Sequence, residues 1–286
     1  MLSRTLAVIL LAVLTPTSAY AAPPATGQTA PETAPMSTQE LMQASALDQI
    51  FTSFGETIAT SPEVQGQPVP PGFAAIWKQT AFDVFKADQL HAQVATALEG
   101  RFSHSELQVL SGFFRSDFGK RITAIEAGVQ QLPVSEQLAA RDKGLAILAE
   151  QVPGNRRVRQ IDDIMMLVSA DISRAVLGEA MRAMMLSMAT SGATGDIEIP
   201  WEEIDAQLAQ ILPSVELEVL TTQRAIIAYA YQALSDDELD IYLDFLATEE
   251  SQKFYATSSL VVGQVIKEAM SRFGEELDSR LNRVNV

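Results

Sequence analysis

The side chains that ordinarily do chemistry are few in this chain, and their spacing does not serve it. Cysteine is absent, so no thiolate nucleophile, zinc–thiolate site or disulfide can form. The two histidines, His91 and His104, lack the H-E-x-x-H spacing that sets two imidazoles on one helical face for a metal; they are expected at the surface or beside a helix cap. No G-x-S-x-G elbow, P-loop or G-x-G-x-x-G turn occurs, which argues against serine-hydrolase and nucleotide chemistry. Acids do come in pairs, at Asp162-Asp163, Glu202-Glu203, Asp236-Asp237 and Glu249-Glu250. Neighbours on a helix project about 100° apart, so none of these pairs can itself be two carboxylates facing across a cleft. Asp236-Asp237 and Glu249-Glu250 read as helix-start acids favoured by the helix dipole, the others as solvated surface. A carboxylate- or metal-dependent hydrolase of envelope material stays open as the alternative function. It requires at least three acidic or imidazole side chains converging in one pocket.

The most unusual chemistry is soft. Met165, Met166, Met181, Met184, Met185 and Met188 are six of the ten methionines, gathered between 161 and 190. Flexible, polarizable thioethers adapt to varied apolar partners, so this face, with Trp77 and Phe85, is the expected contact for an apolar peptide, an envelope protein or a lipid. Asp171, Arg174, Glu179 and Arg182 exclude a membrane span there. No cofactor is implied.

The elements that would position these residues are helices. Ser37 and Glu40 form a capping-box signature ahead of an apolar run to Ile58, giving a first helix near 38–60. The stretch 61–72 holds four prolines and two glycines and reads as a loop. Phe73, Ile76, Trp77, Phe82 and Phe85, then Leu90, Val94 and Leu98, recur at helical steps, with a bend expected near Asp88. The fold class is therefore all-α, a multi-helix bundle.

Two windows repeat one order of residues. In SHSELQVLSGFFRSDFGKRITA (103–124) and SDDELDIYLDFLATEESQKFYA (235–256), an offset of 132 aligns Ser103 with Ser235, Glu106 with Glu238, Leu107 with Leu239 and Phe113 with Phe245. Ser116 then matches Thr248, and Arg121 matches Lys253. Each window reads as a capping box, a short helix with a buried stripe, a break, and a second helix crossing closely at a small residue, Gly119 or Ser251. Long amphipathic segments precede each window, which predicts two pseudo-repeated modules, 38–152 and 153–286.

The order Glu-Leu, aromatic pair, Ser, turn, Gly and basic residue resembles the DUF2059 family of exported bacterial proteins, whose pattern is similar to E-L-x5-F-Y-x-S-P-x-G-x-K. The first copy matches at Glu106, Leu107, Phe113, Ser116, Gly119 and Arg121, with Phe114 for Tyr and Asp117 for Pro. The second keeps Glu238, Leu239, Phe245, Thr248 and Lys253, but Leu246, Glu249 and Ser251 replace Tyr, Pro and Gly. The resemblance implies a helical fold and an exported location, and no mechanism.

The chain opens MLSRTLAVILLAVLTPTSAYAAPP: a basic residue, an apolar run and a small-residue site ending in Ala19-Tyr20-Ala21. This reads as a signal peptide, 1–21, whose apolar run is shorter than the ~20 residues that cross a bilayer. Residues 22–37 are Pro- and Ala-rich without apolar period and read as a disordered linker. The expected location is periplasmic or secreted, with no transmembrane span in the mature chain. A formal charge of −16 repels nucleic acid, and the densest basic cluster is only Arg156, Arg157 and Arg159.

Overall fold

The structure, a computed structural model, describes residues 34–168 and 201–284 apart from 53, 57 and 60–71. Among these residues every regular element is helical, and no helix is long and apolar enough to cross a membrane. The order is α1 (Thr38–Ala44), a short 3-10 turn (Leu47–Gln49), α2 (Phe73–Val84), α3 (Ala87–Leu98), α4 (His104–Phe114), α5 (Asp117–Gln130) and α6 (Val134–Ala149). Then follow α7 (Arg156–Leu167), α8 (Trp201–Ala230), a second 3-10 turn (Tyr231–Ala233), α9 (Asp236–Leu246) and α10 (Glu249–Val284).

The predicted caps set the starts. Ser37 with Glu40, Ser103 with Glu106, and Ser235 with Glu238 each form a complete capping box, satisfying backbone amides that a helix leaves free. The expected helix 38–60 is interrupted instead. The Ser45 hydroxyl donates back to the Met42 carbonyl, and Ala46 enters the left-handed region at φ 52°, so α1 stops after two turns. The bend expected near Asp88 comes at Phe85 and Lys86, which leave helical dihedrals between α2 and α3. The end of the expected linker is docked: Met36 is buried and its N–H donates to Ser111 Oγ (2.7 Å), while the Ala34 carbonyl accepts from Arg115 (2.7 Å).

At the first corner the Ser116 hydroxyl caps α5 by accepting from the Gly119 amide (2.9 Å). A Cβ on Gly119 would fall well inside van der Waals contact with the Phe113 carbonyl oxygen, so the close crossing requires glycine there. At the second corner Ser251 is fully buried and its N–H donates to Thr248 Oγ1 (3.3 Å).

The corners meet each other. Phe113 and Phe245, equivalent by the sequence offset, stack at 4.6 Å between ring centroids. On either side, Lys253 pairs with Glu106 (2.7 Å) and Arg121 pairs with Glu238; the basic residue of each corner holds the capping glutamate of the other. Longer contacts follow the same exchange. α6 lies along α8, whereas α10 runs on over α2 and α3; α1 rests on α3 and α4, and α7 on α8 and α9. The main apolar core draws on both halves, from Phe51, Phe54 and Trp77 to Tyr242, Phe254 and Phe273. Trp77 and Phe85, expected on a partner face, are core residues: both rings pack on Phe273 of α10, and Trp77 Nε1 donates to the Ile58 carbonyl (2.7 Å).

Candidate functional site

Between α3 and the first half of α10 runs an open groove of about 760 Å³. Its α3 wall is Ala92, Gln93, Thr96 and Ala97, its α10 wall Thr257, Leu260, Val261 and Gln264, with Arg101 and Glu268 toward its ends. α3 has one apolar stripe, Leu90, Val94 and Leu98, turned wholly into the core, so its opposite face is small and polar. Leu260 on α10 stays 63% exposed, an unburied isobutyl group with roughly 25 cal/mol available for each Å² a partner would cover. Arg101 Nε donates to the Ala97 carbonyl (3.1 Å). The volume is in the range of ligand clefts, about 300–1,000 Å³.

Sequence reasoning did not point to this groove. Small residues such as Ala92, Thr96 and Ala97 on a helix's outer face read as ordinary surface, and only packing shows that α10 leaves them uncovered. The methionine face was the expected site. Met165 packs on the core and Met166 is 73% exposed at the end of α7, while Met181, Met184, Met185 and Met188 lie outside the described residues. His104 opens α4 as expected. His91 is more enclosed than expected: its ring lies 5.3 Å from that of Phe51, and burial holds its pKa below the ordinary value. The two imidazoles point to no joint role.

The acids are spent on structure more than on solvation. Arg156 binds Asp237 (2.6 Å) and Asp240, Arg157 binds Asp236 (3.2 Å), and Arg224 grips Asp162 with two nitrogens (2.6 and 3.0 Å). Arg156 and Arg157 of the basic cluster are therefore engaged with the acidic start of α9, Arg159 donates to the Gly154 carbonyl, and Asp162, expected to be merely solvated, is paired. Among the described residues, no three His, Asp or Glu side chains are placed to hold a metal ion.

One acid is buried. Glu126 of α5 accepts from the Tyr242 hydroxyl (3.0 Å) and from that of Tyr231, and the two phenols are 2.9 Å apart. Burial outweighs those hydrogen bonds and pushes the Glu126 carboxyl well above its ordinary value. Desolvation, first, and the adjoining acid raise both tyrosines as well. This triad is enclosed in packed helices between α5, α8 and α9, away from the groove, and ties the two halves together. Glu126 gave no warning in sequence, since an acid at a helical step among Ile122, Ile125 and Val129 looks like the polar edge of the stripe.

Fold and groove define an all-helical protein with an apolar surface trough. Residues 88–148, from α3 through nearly all of α6, match the family described as "Uncharacterized protein conserved in bacteria (DUF2059)". The match contains the first corner, one wall of the groove and the helix that lies on α8; the second corner lies outside it. Neither a curated protein nor a solved structure matches the chain.

Proposed function

We propose that this is a non-catalytic binding module of the bacterial envelope, exported by residues 1–21, in which two related helical modules, 38–152 and 153–286, build one scaffold. It engages an apolar segment of a partner through the α3/α10 groove. The observation that carries the reading is the groove itself: an open trough with exposed Leu260 at its wall. The exchanged ion pairs Glu106–Lys253 and Glu238–Arg121 about the Phe113–Phe245 stack support the two-module reading, since equivalent residues contact each other reciprocally, as in a two-fold interface. Exposed Met166 at the end of α7 offers a second apolar contact.

The test uses the purified full-length mature chain and the dye anilinonaphthalene sulfonate. Saturable, single-site fluorescence enhancement is expected, lost in Leu260→Asp with the thermal melt unchanged. Absence of saturable enhancement, or an enhancement that Leu260→Asp leaves intact, would show that the groove binds nothing apolar.

A further inference from the structure

We infer that the occupant of the α3/α10 groove is an amphipathic α-helix of another protein, with acidic side chains along the edge that meets Lys86 and Arg101. This rests on the binding reading above and adds what fills the site. The argument comes from the other half of the molecule, where the equivalent surface is occupied. Gln93 and Ala97 share one face of α3, Lys86 stands at its N-terminal cap, and Arg101 follows its C-terminal end at the groove. The offset of 132 carries them onto Glu218, Ala225, Tyr229 and Ala233 of the α8 segment and the turn after it. A helix lies on that second stripe. Arg141 of α6 pairs with Glu218 (2.6 Å), Gly144 presses directly against the Ala225 backbone, and Lys143 stands 5.9 Å from the Tyr229 ring centroid.

The cause of the difference is one residue. α5 ends where Pro133 cannot continue a helix, so α6 folds back across α8; its counterpart at the offset, Val265, lets α10 run straight on to α2. The space that α6 takes on α8 is left open on α3.

The walls choose among occupants. Thr96 is exposed on one wall and the Gln264–Glu268 pair (2.7 Å) stands on the other, hydrogen-bonding groups that an acyl chain cannot answer and helix side chains can. A second copy would bring one concave face to another. Charge sets the edge: where α8 presents Glu218 to Arg141, the cap of α3 presents exposed Lys86, and Arg101 lines the groove where the turn after α8 has Ala233. The incoming helix is therefore acidic where α6 is basic, and small where Gly144 crosses.

The probe is the sequence 134–149 made as a stapled helix carrying Arg141→Glu, because a free 16-residue helix is marginal in water. It is titrated against the full mature chain by fluorescence anisotropy, beside the unmodified stapled sequence and doxyl-labelled stearate. One-to-one binding is expected, weakened at least tenfold by Leu260→Asp and by Lys86→Glu, with the unmodified Arg141 sequence preferring the Lys86→Glu variant. Equal probe affinity for native and Leu260→Asp chains overturns the inference. So does stearate binding in place of the probe, or a sedimenting dimer that Leu260→Asp dissociates; those two results leave the groove reading standing with a lipid or a second copy as occupant. Failure of probe, stearate and dye together overturns both.

Discussion

α3 and the second half of α8 present similar helical stripes and meet different surroundings. On α8, Ala225 is wholly buried beneath α6 and the Glu218 carboxylate is paired. On α3, the corresponding face keeps Ala92 and Thr96 exposed. The difference shows that a helix's own pattern does not decide whether its outer face is surface or interface; the path of a neighbouring chain segment does. Where Pro133 turns the chain back, a face is consumed in folding, and where α10 continues, the same kind of face remains open.

The comparison can be broken most forcefully at Gly144. Any side chain there must displace the Ala225 carbonyl, which is backbone and cannot rotate away, so Gly144→Leu is expected to cost about 3 kcal/mol or more. Thr96→Leu on the open face should stay within about 0.5 kcal/mol. Thermal melts of the two variants check this, and similar shifts would show that α6 does not hold the close crossing.

The two corners offer a milder version. Gly119→Leu forces a side chain onto the Phe113 carbonyl and should lower stability by roughly 1–3 kcal/mol. Ser251→Gly, at a corner that already accommodates a buried side chain, should cost only about 0.5 kcal/mol in helix propensity. Equal small losses by denaturant titration would mean that neither corner is close-packed.

The sharpest effect of pH is expected at Glu126, in a direction set by its raised pKa. A group whose folded pKa lies above its unfolded one binds its proton more tightly when folded. Its stabilising contribution is full below the ordinary carboxyl value of 4.5 and is lost as pH rises toward the folded pKa. Tyr231 and Tyr242 face it within hydrogen-bond reach, and Tyr255 adds to the electrostatic raising of both phenols. Glu126→Gln keeps the shape without the titration, so its melting temperature relative to the native chain should rise between pH 4 and pH 8. Parallel curves across that range would place the carboxylate, ionised, in a wetter site.

Much of the local structure was legible in the chain. Ser103 with Glu106 and Ser235 with Glu238 announce helix starts because a hydroxyl followed by a carboxylate three residues on satisfies backbone amides from within four residues. Gly119 announced a close crossing. The groove was not legible, because Ala97 and Leu260 become a site only through which helix fails to cover them. Arg156 looked like free positive charge until α7 met the start of α9.

The sequence by itself determined an all-helical chain, its caps, its corners and the resemblance borne by Glu106 to Arg121, since each depends on contacts within a few residues. The tertiary structure alone decided that Trp77 and Phe85 are core, that Glu126 is buried between two tyrosines, and that the open face belongs to α3. Those outcomes turn on contacts between residues about a hundred positions or more apart, such as Glu126 with Tyr231 and Tyr242, and Phe85 with Phe273. Hydrophobic period fixes which face of a helix is buried, and it carries no information about what lies against the other.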